Sequence, residues 1–142
     1  MRIVIDTSDF ISALIGKKHR EKLKIVLSDL SIEIYADENL ITEISEVSQR
    51  DKFKKYVTGE EIELFVEIII ERLIIINPST VVEDSPDPDD NYLLSIAIDA
   101  QAQYIITGDK KDLLALSPYR GIQIVRLQTF LDILKQKIEE KQ

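Results

Sequence analysis

An α/β fold, with a twisted, mostly parallel sheet flanked by helices, is predicted for this 142-residue chain by three observations. Short apolar runs rich in β-branched residues recur along it. Stretches of helical length with three-and-four apolar spacing lie between them, and residues that cap helices stand where those stretches begin. The length and a hydrophobic content of 44% suit one core, so residues 1–142 are expected to form a single domain without a linker.

The first strand is predicted at Ile3-Val4-Ile5 and the second at Ile32-Glu33-Ile34-Tyr35. Asp37 is placed to cap a helix running to Arg50, with Leu40, Ile41, Ile44 and Val47 on one face. Thr58 followed by Glu61 reads as a capping box opening a helix to Arg72. Ile74-Ile75-Ile76 fits either an extension of that helix or a strand, and Thr80-Val81-Val82 is equally open. After Asp89 and Asp90 a helix buries Leu93, Leu94, Ile96, Ala97 and Ala100. Strands at Tyr104-Ile105-Ile106 and Ile122-Gln123-Ile124-Val125 follow, and a last helix starts at Thr129-Phe130-Leu131.

Composition removes several chemistries. With no cysteine and one histidine, His19, the chain carries neither a disulfide framework nor a thiolate or histidine-rich zinc site, nor a Ser-His-Asp triad. A net charge of -8 disfavours general adhesion to nucleic acid or anionic membranes and leaves room for a local basic rim. The greasiest region, FVEIIIERLIII, is broken by Glu67, Glu71 and Arg72, and Met1-Arg2 leads straight into the first strand. Neither a spanning helix nor a signal peptide is expected, and the predicted location is the cytoplasm.

Carboxylate chemistry remains. EDSPDPDDNYLL, from Glu83 to Leu94, crowds four aspartates and a glutamate into eight residues, which repel one another unless something makes the crowding useful. Ligands of open parallel sheets bind beyond the carboxyl ends of the strands. Asp6 follows the first strand, and Asp109 follows Tyr104-Ile105-Ile106 after the turn Thr107-Gly108, so both are expected at that edge. Glu43 borders the apolar stripe of its helix, whereas Glu46 projects away from it. Asp90, at the start of its helix, is expected near the same edge. An all-oxygen set of this kind suits a hard cation, Mg²⁺ or Mn²⁺, which acidifies a water and neutralises charge developing on a phosphate.

These residues resemble the PIN-domain family, in its bacterial toxin-antitoxin (VapC-like) group. The resemblance covers nearly the whole chain, in IVIDTSDFISALI, ITEISEVSQRDKF, DPDDNYLLSIAIDAQAQYIITGDKKDLLAL and GIQIVRLQTFLDIL; the third is the most specific, with Asp-Asn opening a helix and Thr-Gly-Asp followed by Leu-Leu. The resemblance implies a three-layer PIN-like α/β fold. It implies a metal-dependent endoribonuclease, a hydrolase acting on single-stranded RNA, with Asp6, Glu43, Asp90 and Asp109 as the acidic quartet holding Mg²⁺ or Mn²⁺. An antitoxin protein is the implied partner; a homodimer is expected on general grounds, symmetric dimers being the commonest oligomers. The family usually reads Asp-Thr-Asn after its first strand, where this chain has Asp6-Thr7-Ser8; tuning of the site is expected from that change.

Blander readings stand beside this one. Asp89, Asp90 and Asp109 each precede a helical stretch and, taken singly, read as caps. Asp84 and Asp87 read as a solvated turn, Asp99 and Asp112 as helix surface or, less favoured, as groups behind the metal ligands, and Thr107 as a turn residue or a contributor to the metal site. Three basic groups are candidates for RNA contact: Lys17, Lys18, Arg20, Lys22 and Lys24; Arg50, Lys52, Lys54 and Lys55; and Lys110-Lys111. A haloacid-dehalogenase phosphatase needs an acid where Ser8 stands. A calcium loop at Asp87, Asp89 and Asn91 lacks its central glycine, with Tyr92 there, and its closing glutamate, with Ile98 there. The alternative from another class is a catalytically weak or inactive PIN-like binding module within a protein or RNA-processing complex.

Overall fold

The structure, a computed structural model, describes residues 1–53, 55, 58–108 and 111–141. Five strands, β1 (Arg2–Ile5), β2 (Glu33–Ala36), β3 (Leu73–Ile75), β4 (Tyr104–Ile106) and β5 (Gln123–Val125), form one sheet in the order β3-β2-β1-β4-β5. Every pairing is parallel, with Ile3 opposite both Ile34 and Tyr104. A strand buried on both faces should be apolar throughout, and Ile3, Val4 and Ile5 at the sheet centre are almost wholly hidden. Burying each such side chain contributes roughly 1.5–3 kcal/mol.

The helices are α1 (Thr7–Ile15), α2 (Lys17–Ser28), α3 (Glu38–Ser48), α4 (Gly59–Arg72), α5 (Asn91–Asp99), α6 (Lys111–Leu114) and α7 (Leu127–Glu140). Parallel crossovers are right-handed, so the run β1-β2-β3 in one direction and the return to β4 on the other side of β1 put helices on both faces. α1 packs on α2 and α3, and α2 on α7, while α5 packs on β1, β2 and β4. This is the three-layer α/β architecture predicted.

Local chemistry explains the element boundaries. Asp37 accepts from Leu40 N at 2.9 Å and caps α3, which ends at Ser48, short of Arg50. Thr58 and Glu61 form the reciprocal capping box of α4. Arg72 closes α4 by donating to the carbonyls of Leu27, Asp29 and Ile32, tying its end to the α2–β2 connection. The chain then turns directly into β3, which resolves the open segment: Leu73–Ile75 pairs with β2. Thr80-Val81-Val82 is neither helix nor strand. Asp99, expected as helix surface, is exposed at the end of α5 and also accepts from Ser79 N at 2.6 Å and from the Thr80 hydroxyl, and so anchors the connection leaving β3.

Asp84, expected in a solvated turn, is exposed but has partners of its own. It accepts from the Tyr119 hydroxyl and lies 3.4 Å from Arg120, which pins the acidic segment against the turn before β5. Asp87 does act in a turn: its carboxylate accepts from Asp89 N at 3.0 Å and starts a single 3-10 turn, Pro88–Asp90, that leads into α5.

Candidate functional site at the carboxyl edge of the sheet

The strand order reverses between β1 and β4, so the crevice beyond their carboxyl ends is where an open parallel sheet accommodates a ligand. Asp6 leaves β1 at that point. Its side chain is 2% exposed and does not cap α1. Instead its Oδ2 accepts from the Thr107 hydroxyl at 2.8 Å and from the Ser8 hydroxyl at 3.1 Å. Thr107, fully buried, leaves β4, so the two central strands lock the carboxylate between them. Thr107 is therefore joined to Asp6, and Ser8 reaches the aspartate it follows.

Glu43 is half-buried on α3 and Glu46 is exposed, as the helix geometry predicts. The Tyr92 hydroxyl, on α5, donates to Glu43 Oε2 at 2.9 Å. Burial, then the Glu43 carboxylate and its hydrogen bond, then the charge of Asp6, push the Tyr92 phenol well above its ordinary value. Tyr92 thus senses both Glu43 and Asp6 and remains a hydrogen-bond donor throughout the neutral range. Two residues before it, Asp90 is 2% exposed at the entrance to α5 and makes no side-chain cap there.

Three of the predicted acids thus stand on elements that meet at this edge, and two of them are buried. Asp109, like Lys54 and Lys110, lies outside the described residues; its neighbour Gly108 continues from Thr107 at the same edge, its carbonyl accepting from Arg126. Among the described residues, no three acidic or imidazole side chains are grouped closely enough to hold an ion by themselves.

Reading the sequence missed two features. Tyr92 was noted only as a misfit in a calcium loop. Asp9, on α1, is 1% exposed, and its Oδ1 lies 3.0 Å from Nε2 of His19 on α2. The available signal was an acid on the α1 face that also buries Phe10 and Ala13.

Removing the Tyr92 hydroxyl has an expected signature. Tyr92→Phe should lower stability at neutral pH by about 1–3 kcal/mol, the usual contribution of a hydrogen bond to a charged group. The stability linked to a raised phenol is whole below about pH 10 and declines as pH rises further, because the unfolded chain ionises first. The gap between wild type and variant in urea unfolding should therefore narrow at about pH 11 relative to neutral pH. A gap that stays constant would show that Tyr92 is not held protonated by its surroundings. Tyr119, raised by burial and by Asp84, keeps its own share of the alkaline decline in both proteins.

Comparison with known proteins agrees with this architecture. Residues 2–111 match the PIN domain family. Uncharacterized protein MJ1680 of Methanocaldococcus jannaschii is 34% identical over 118 residues, covering 82% of this chain and 75% of that protein. The crystal structure of VapBC2 from Rickettsia felis, bound to a DNA fragment from their promoter, contains a chain that superposes with a TM-score of 0.55. At 14% identity, over 87% of this chain and 97% of that one, this likeness is one of fold. Among the described residues no helix is long and apolar enough to cross a membrane. With a family match over most of its length and the three-layer parallel sheet, this chain belongs to the PIN-domain family, whose members are generally nucleases.

Proposed function

We propose that the protein is a divalent-metal-dependent endoribonuclease, the toxin component of a toxin-antitoxin pair, acting in the cytoplasm on single-stranded RNA. Asp6, Glu43, Asp90 and Asp109 are its metal-holding set, directly or through water, with Mg²⁺ or Mn²⁺ as the ion. The observation that carries this reading is the burial of two aspartates, Asp6 and Asp90, at the carboxyl edge of the sheet, neither of which caps the helix it precedes. Two carboxylates brought to one edge of the sheet supply hard oxygen donors of the kind a divalent cation takes.

The donor set fits such an ion. It is all oxygen, and Mg²⁺ ordinarily takes one or two carboxylates while keeping several waters, so three clustered acids are not required. When bound, the ion supplies an acidified water and neutralises charge developing on the scissile phosphate. The chain's own contribution is orientation. Thr107, just after β4, and Ser8, in the first turn of α1, fix the Asp6 carboxylate, and Tyr92 fixes Glu43 from α5. Ser8 thereby supports the site that its departure from the family pattern put in question.

The toxin assignment is supported by the fold shared with a chain of the VapBC2 complex. An antitoxin protein or a second copy of this chain is the expected partner. The exposed Leu64 and Ile68 on α4, beside a cavity of about 370 Å³, offer apolar surface for one.

The test is incubation with mixed RNA pools in Mn²⁺, in Mg²⁺ and in EDTA, with fragment ends read by sequencing and melting followed in parallel. Cleavage in metal alone, together with a metal-dependent rise in melting temperature, is the expected result. No cleavage and no thermal shift in any condition would favour the binding module instead.

A further inference from the structure

Beside Gly108, a cleft of about 280 Å³ opens between α2 and the start of α7. Its walls include Asp9, His19, Lys22, Gly108 and Arg126. Three of these are basic or can become so, in a chain whose net charge of -8 repels polyanions at long range. The structure sorts the basic run of α2. Arg20 is committed to the carbonyls of Ala13 and Leu14, and Lys24 lines a different, apolar groove. Lys22 alone of that run lines this cleft.

The cleft is built as well as charged. Asp9 is buried, and its Oδ1 lies 3.0 Å from Nε2 of His19, a contact that fixes the imidazole against the wall. Arg126 donates one guanidinium N–H to the Gly108 carbonyl, which holds its fork at the junction of this cleft with the turn that follows β4.

We propose that this cleft is a phosphate subsite: Lys22 and Arg126 take a backbone phosphate of the RNA flanking the one that is cut, with His19 forming part of the wall. The subsite rests on the ribonuclease reading for its substrate, and its chemistry is tested without cleavage. It gives an acidic protein a local means of holding a polyanion beside its carboxylates, since phosphate contacts set register and supply affinity that falls with salt.

The experiment is fluorescence anisotropy of a labelled single-stranded RNA in EDTA, titrated across a range of KCl. The proteins are wild type, Lys22→Gln, Lys22→Arg and, as a matched charge loss on the same helix outside the cleft, Lys24→Gln. Loss of one phosphate contact should reduce the slope of log affinity against log salt by about 0.7 and weaken binding roughly threefold to tenfold at low salt. Lys22→Gln should show both effects, Lys22→Arg should restore the wild-type values, and Lys24→Gln should stay within about twofold of wild type, as a remote screened charge would. Equal behaviour of Lys22→Gln and Lys24→Gln overturns the subsite, as does absence of salt-dependent RNA binding by wild type. Wild type that cleaves no RNA in Mn²⁺ while Lys22→Gln still lowers the slope would overturn the nuclease reading and leave the subsite standing.

Discussion

Asp6→Asn is expected to reduce metal-dependent RNA cleavage about a thousandfold, corresponding to about 4 kcal/mol of lost transition-state stabilisation. The substitution is nearly isosteric, and an asparagine oxygen still accepts from the hydroxyls of Thr107 and Ser8, so the fold should persist. What disappears is the formal charge that an ion needs at the junction of β1 and β4. Asp90→Asn, buried to the same degree, should behave alike. Because both residues are proposed to act on one ion, their effects should not add, and the double variant should lose little beyond either single one. Single-turnover cleavage in Mn²⁺ measures this, with the Mn²⁺-induced rise in melting temperature as an independent reading. Retention of more than about a tenth of the wild-type rate by Asp6→Asn would remove it from the assigned role.

Phe130→Ala should be the most damaging single change to stability, costing about 3–5 kcal/mol. Phe130 is fully buried on α7 and meets Tyr104 of β4 edge to face, with centroids 5.3 Å apart. Truncation removes the ring's burial, leaves a cavity that surrounding helices close only partly, and deletes the aromatic contact. For a chain of this size the melting temperature should drop by on the order of 10 °C. Since β4 delivers Thr107 to Asp6, loss of metal response should accompany the loss of stability. A cost below about 1 kcal/mol in urea unfolding would mean that α7 does not anchor β4.

The parts of this molecule that could be read beforehand are those in which one local pattern carries the information. β1 and β4 are β-branched runs, and their parallel course places whatever follows them at one edge, so Asp6 and Thr107 were legible from position alone. Glu43 was separable from Glu46 by helix geometry. Ile74-Ile75 was ambiguous because a short isoleucine run suits either period; only its partner, β2, decides. Val81 shows the converse: a β-branched triplet with no strand beside it stays irregular, and Val81 is left 83% exposed. Polar pairings between distant residues were hidden altogether. Arg72 with three carbonyls, Asp84 with Tyr119, Glu43 with Tyr92 and Asp9 with His19 are each chosen by tertiary approach, and the sequence near one partner says nothing about the other.

The position of β1 in the middle of the sheet bears on how the protein is made. The strand synthesised first has one neighbour, β4, from the last third of the chain, and the hydrogen bond that fastens Asp6 joins residues 101 apart in sequence. A nascent chain can pair β1 with β2 early, but Asp6 stays in water until Thr107 has left the ribosome. A polypeptide whose β4 has not yet emerged therefore cannot possess the completed crevice, and any chemistry proposed for it must wait for that strand.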